Sequence, residues 1–70
     1  MEYVTVTYPE SRRVFVDGVE TGNTNTTLRI QEGTHTFNLG EPRDYTPKWR
    51  RQVVSGTTSL SPMEISFEKA

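Results

Sequence analysis

Seventy residues make one small domain with a thin core, because a chain of this length buries only about 60% of the surface its unfolded form exposes. Eight basic and nine acidic residues leave a net charge of −1, so no whole-molecule field attracts nucleic acid or an anionic membrane. The chain has no cysteine for a disulfide or a thiol nucleophile and no apolar run near the roughly 20 residues that cross a bilayer. Its single alanine stands among many Val, Ile, Thr and aromatic residues, which is strand composition.

Residues 2 to 8 alternate, with Val4, Val6 and Tyr8 on one face and Tyr3, Thr5 and Thr7 on the other, the period of a half-buried strand. Met1 leads straight into this strand without a signal-type leader, which reads as a chain that starts at a domain boundary. Pro9 has no N–H for a sheet ladder, so Pro9-Glu10-Ser11 is a turn. Arg12 to Asp17 then points Val14 and Val16 inward and Phe15 outward. Asp17-Gly18 is the strongest hairpin signal, since both positions tolerate positive φ. The return strand Val19-Glu20-Thr21 is short, and Gly22-Asn23-Thr24-Asn25 has the composition of a loop that ends the pairing.

From Thr26 to Gln31 the alternation resumes with Leu28 and Ile30 inward. Glu32-Gly33 turns the chain, and His35, Phe37 and Leu39 share a face, which predicts a second hairpin. Between Gly40 and Lys48, two prolines and four charged residues predict an irregular connection whose Tyr45 tucks back onto the core edge. Trp49 to Val54 is strand-like but carries Arg50 and Arg51. Ser55 to Ser61 is a polar turn region, and Met63, Ile65 and Phe67 alternate toward the C-terminus. Six or seven short strands without a helical period predict an all-β fold, a small antiparallel β-sandwich or an open barrel. No internal repeat or low-complexity segment divides the chain.

In chain order the punctuation is Pro9, Val14-Phe15-Val16-Asp17-Gly18, Gly22 with Thr24, Gly33-Thr34-His35-Thr36-Phe37-Asn38-Leu39, Tyr45 and Val53-Val54. This series resembles a PEGA domain over nearly the whole chain. In that family a strand and a proline turn lead into a V-x-V-D-G hairpin, a G-x-T-P loop, a G-x-H strand and a G-Y turn. Asn25 departs from the family's proline, and Asp44 from its glycine before Tyr45; both lie in loops. The resemblance implies an immunoglobulin-like or prealbumin-like sandwich, read as one module, residues 1–70, of a larger protein. It also implies an extracytoplasmic or cell-envelope setting and no activity, with Pro9, Asp17, Gly18, Gly22 and Gly33 as structural turn positions.

The residues themselves agree that catalysis is not expected. His35 is the only base titrating near neutral pH, and in mid-strand beside Phe37 and Leu39 it reads as a core-margin histidine with one nitrogen satisfied by a neighbour. One histidine and scattered carboxylates make no metal site, and no cofactor is expected. Asn25-Thr26-Thr27 fits a glycosylation sequon, a tripeptide common by chance.

One concentration stands out: Arg43, Lys48, Arg50 and Arg51 against Asp44, interleaved with Tyr45 and Trp49. As a binding patch, Tyr45, Lys48, Trp49, Arg50 and Arg51 could stack a ring and pair anionic groups. As a structural feature, Trp49 would cover the core edge while the cations keep an edge strand from unwanted pairing. The expected function is a non-catalytic accessory, interaction or spacer module, a monomer with neighbouring domains or other proteins as partners and no membrane insertion. A carbohydrate-binding module using Trp49, Tyr45 and the arginines is the alternative. A third reading, single-stranded nucleic-acid binding on an open barrel, is at odds with the net charge, so no nucleic acid is expected.

Overall fold

A computed structural model describes residues 1–70. Nine strands follow in chain order: β1 Glu2–Thr7, β2 Arg13–Val16, β3 Val19–Asn23, β4 Thr27–Ile30, β5 Gly33–Asn38, β6 Tyr45–Thr46, β7 Arg50–Val54, β8 Met63–Ser66 and β9 Glu68–Lys69. They form a three-stranded sheet in the order β4-β1-β8, a four-stranded sheet in the order β3-β2-β5-β7, and a short β6-β9 ribbon. The two larger sheets enclose one core, into which the alternating side chains point as the sequence predicts. Val4, Val6, Tyr8, Val14, Val16, Leu28, Ile30, Phe37, Leu39, Tyr45, Val54, Ile65 and Phe67 are all buried. The architecture is the expected all-β sandwich, with nine strands in place of six or seven because Tyr45–Thr46, inside the expected irregular connection, and Glu68–Lys69 pair with each other as a two-residue ribbon. One pair departs from antiparallel: β8 runs parallel to β1, Val4 opposite Met63 through Thr7 opposite Ser66.

The β2–β3 turn is the hairpin that the sequence announces. Asp17 and Gly18 take φ of 54° and 83°, the pair of positive values that a type I′ turn needs. Two other expectations are corrected. Gly22 and Asn23 are not loop but strand, opposite Val14 and Arg13, because a bulge between Val14 and Phe15 absorbs Thr21 and lets pairing continue. Their polar composition suits an edge strand as well as a loop. The other correction concerns β4 and β5, which form no hairpin. β4 pairs with β1, whereas β5 pairs with β2 and β7, so Gln31-Glu32 carries the chain from one sheet to the other. Gly33, at φ 138°, starts the new strand in a conformation that glycine adopts freely.

Between Ser55 and Ser61 there is no regular strand, as predicted, but the segment is tied down. Thr57 donates from its N–H and its hydroxyl to Glu2 Oε1, at 2.9 and 2.7 Å, and its Oγ1 accepts from the N–H of Tyr3 at 2.7 Å. These bonds hold the Glu2 carboxyl below its ordinary pKa. At the opposite end of β1, Thr24 is the one buried polar residue. Its hydroxyl donates to Glu10 O at 2.8 Å and accepts from Arg12 N–H at 2.9 Å, so the Pro9-Glu10-Ser11 turn is held by the β3–β4 connection.

Candidate functional site

The irregular segment between β5 and β7 is shaped by two residues at its base. Tyr45 is 4% exposed, with its ring edge-on to Tyr8 and Phe67 at centroid distances of 6.4 and 5.7 Å. Its hydroxyl accepts from Leu39 N–H at 3.2 Å and donates to Gly40 O at 3.0 Å, satisfying a polar tip inside the core. Arg12 is the second. Its guanidinium lies 5.8 and 5.4 Å from the ring centroids of Tyr8 and Tyr45. It donates to Asp44 Oδ1 and Pro42 O at 2.7 Å each, and to Leu39 O at 3.4 Å. The Arg12 guanidinium holds the Asp44 carboxyl below the usual carboxylate range. Pairing of β6 with β9 and a bond from Ala70 N–H to Asp44 O at 3.0 Å close the far side.

Fixed in this way, the segment walls an open groove of about 430 Å³ on the outer face of the four-stranded sheet. Thr36, Asn38 and Arg51 belong to its floor strands, and Glu41, Arg43, Lys48 and Trp49 to its wall. Thr36 lies opposite Arg51 in the β5–β7 ladder, so strand alternation places both side chains on this face. Trp49 does not cover the core edge: it is 56% exposed, and the Arg51 guanidinium stands 6.0 Å from its ring centroid.

Of the five residues singled out in the sequence, Lys48, Trp49 and Arg51 meet at this groove. Tyr45 contributes only its base, since its ring is enclosed by Tyr8 and Phe67 and offers no free stacking face. Arg50 lies elsewhere. It is paired with Phe37 and therefore points to the opposite side of the sheet, where its Nε donates to Ser66 O at 2.8 Å and ties the two sheets together. Thr36 and Asn38 are the contributors that sequence reading passed over. Their only signal is the alternation within Gly33–Asn38, and it becomes informative once β7 is known to be the neighbour. Arg12 carries no local signal, because its partners are 27 to 32 positions away.

His35 is more fully engaged than expected, since both ring nitrogens are bonded, Nδ1 to Asp17 Oδ2 at 2.6 Å and Nε2 to Gln31 O at 2.7 Å. Asp17 also accepts from Thr36 N–H at 3.0 Å. The Asp17 carboxylate raises the His35 pKa against the opposing effect of burial, with help from the Gln31 carbonyl. The imidazole is thus a strut between the β2–β3 turn and β5, with no nitrogen left for a ligand. Asn25, in the sequon, holds a φ of 63° that a proline ring excludes. Its Nδ2 donates to Tyr8 O at 2.9 Å and its Oδ1 accepts from Tyr8 N–H at 3.3 Å, so the side chain acts as a peptide-like partner that extends β1.

A family model described as PEGA domain matches residues 2–58. No curated protein and no solved structure matches the chain. No helix of the structure is long and apolar enough to cross a membrane.

Proposed function

This chain belongs to the PEGA-domain family, and we propose that it is a non-catalytic accessory module that recognises its partner through the groove on the outer face of the β3-β2-β5-β7 sheet. PEGA domains are in general non-catalytic and typically extracellular or periplasmic. The observation that carries the reading is the state of Trp49: a large aromatic left exposed beside Lys48 and Arg51, on a wall held rigid from beneath by Arg12 and Tyr45. Binding sites combine such an exposed aromatic with a preorganised support. A second reading, docking of a neighbouring domain along a sheet edge, is favoured by β3, an outer strand of its sheet whose Val19 is exposed.

The test is co-sedimentation with isolated cell-envelope fragments, comparing the wild type with three variants. These are Trp49→Ala with Arg51→Gln in the groove, Val19→Lys on the β3 edge, and Thr5→Lys on the outer face of the other sheet. The expected result is loss of most of the pelleted fraction for the groove variant alone. Loss with Val19→Lys instead would support edge docking, and equal pelleting of all variants would sink the groove reading.

A further inference from the structure

We infer that the groove takes an acidic saccharide, a sugar ring bearing a carboxylate, with Trp49 as the stacking face and Arg51 and Lys48 as its charge partners. The inference rests on the groove being the recognition face, and it follows from what the other charges are doing. The chain has eight lysines and arginines. Arg12, Arg13, Arg43 and Lys69 are paired with the carboxylates of Asp44, Glu20, Glu41 and Glu10, and Arg50 is bonded to Ser66 O. Only Arg29, Lys48 and Arg51 have no such partner, and two of these three line the groove. Glu41, the groove's one carboxylate, is already engaged by Arg43 Nε at 3.3 Å. The groove therefore brings together two of the molecule's three cations that have no carboxylate or carbonyl partner, the third, Arg29, standing on β4 in the other sheet.

The remaining lining selects the ligand class. The floor is polar: Asn38 accepts from Gly40 N–H through Oδ1 at 2.9 Å, which leaves its Nδ2 donors free, and the Thr36 hydroxyl lies beside it. Tyr45 and Trp49 are the only hydrophobic lining residues, and Tyr45 is enclosed, so an apolar peptide anchor finds no pocket. A pyranose matches this lining. Its C–H face can lie on the indole face that Arg51 leaves open, its hydroxyls can meet Thr36 and Asn38, and a carboxylate on the ring's rim comes within reach of the guanidinium that stands over the Trp49 ring. The volume of about 430 Å³ lies in the small-ligand range of about 300–1,000 Å³. A nucleic-acid strand fits less well, because two free cations and one exposed aromatic do not track a phosphate backbone.

An amide and indole N–H chemical-shift titration tests this, using trisaccharides of galacturonic acid, hyaluronan fragments and sialyllactose. Methyl-esterified galacturonate, a glutamate peptide and an oligothymidylate serve as comparisons. Shifts confined to Thr36, Asn38, Lys48, Trp49 and Arg51 are expected with at least one acidic sugar. Affinity should fall at least tenfold on esterification and in Trp49→Ala or Arg51→Gln, the other resonances staying in place. Equal binding of the ester, the peptide or the oligothymidylate would overturn the assignment, as would a Kd weaker than about 10 mM for every acidic sugar. Should the acidic sugars fail while co-sedimentation still depends on Trp49 and Arg51, the ligand class is wrong and the groove stands. Should both fail, the recognition face itself is wrong.

Discussion

Between Tyr8 and Tyr45 the side chain of Arg12 is only 13% exposed, yet it holds three separate points of the segment that walls the groove. A guanidinium suits this task because its planar fork can serve several acceptors at once while lying against aromatic rings. Asp44 completes the arrangement. It stands where a small residue would leave the guanidinium with carbonyl acceptors alone, although a half-exposed pair adds little stability by itself. His35 is a comparable case with a titratable side chain. Its pKa is raised above 6.5, first by the Asp17 carboxylate, with burial opposing. A folded-state pKa above the unfolded value gives stability that is complete below the unfolded pKa and is lost as pH rises through the folded one. Denaturant midpoints measured from about pH 6 to about pH 9 should therefore fall for the wild type and stay level for His35→Gln. A wild-type profile as flat as the variant's would show that folding leaves the imidazole pKa unshifted. Asp17, whose pKa is lowered by the Thr36 N–H and by His35, contributes in the other direction, with stability lost as pH falls below the ordinary value of 3.8.

At the scale of elements, β3 shows what local sequence conveys and what it does not. The turn before it was legible because Asp17-Gly18 has a specific backbone requirement, and the inward faces of β1, β2, β4 and β5 were legible because alternation reports burial directly. Gly22 and Asn23 were misread as loop, since polar residues describe an exposed edge and a loop alike. The β4–β5 link was misread as a hairpin, because a short connection with a glycine can return within a sheet or cross between sheets. The groove was half legible. Trp49, Lys48 and Arg51 were visible as composition, while Thr36 and Asn38 depend on which strand lies beside which. Gly22 is needed for packing, since an added Cβ would run into the buried side chain of Leu28. Gly22→Ala gains some stability by restricting the unfolded chain, about 0.4–1 kcal/mol, but overpacking costs about 1–3 kcal/mol. The net effect expected is a loss of at most about 2.5 kcal/mol in denaturant unfolding. Unchanged or raised stability would mean that β3 shifts outward at no cost.

At the scale of the molecule, the order β4-β1-β8 makes the first and last long strands neighbours in one sheet. The family match ends at residue 58, yet β8 supplies the second partner of β1, and Ile65 and Phe67 are both buried in the shared core. Removing that strand would bare one edge of β1 and open the core beside Val4 and Val6. Each large apolar side chain contributes about 1.5–3 kcal/mol by burial, and a core of this size supports only about 3–5 kcal/mol of net stability. Loss of Ile65 and Phe67 alone should then exhaust it. A chain ending at Thr58 is accordingly expected to be unfolded, with collapsed amide dispersion, whereas one ending at Phe67 should keep the fold. The longer truncate lacks only β9 and Ala70, all of them exposed. What it loses is the closure of the segment around Tyr45 and Asp44, so its amide shifts should change along residues 40–49 and stay in place across both large sheets. A well-dispersed spectrum from the chain ending at Thr58 would show that β1 needs only β4 as a partner, and that the C-terminal strand is an addition to a sandwich already complete without it.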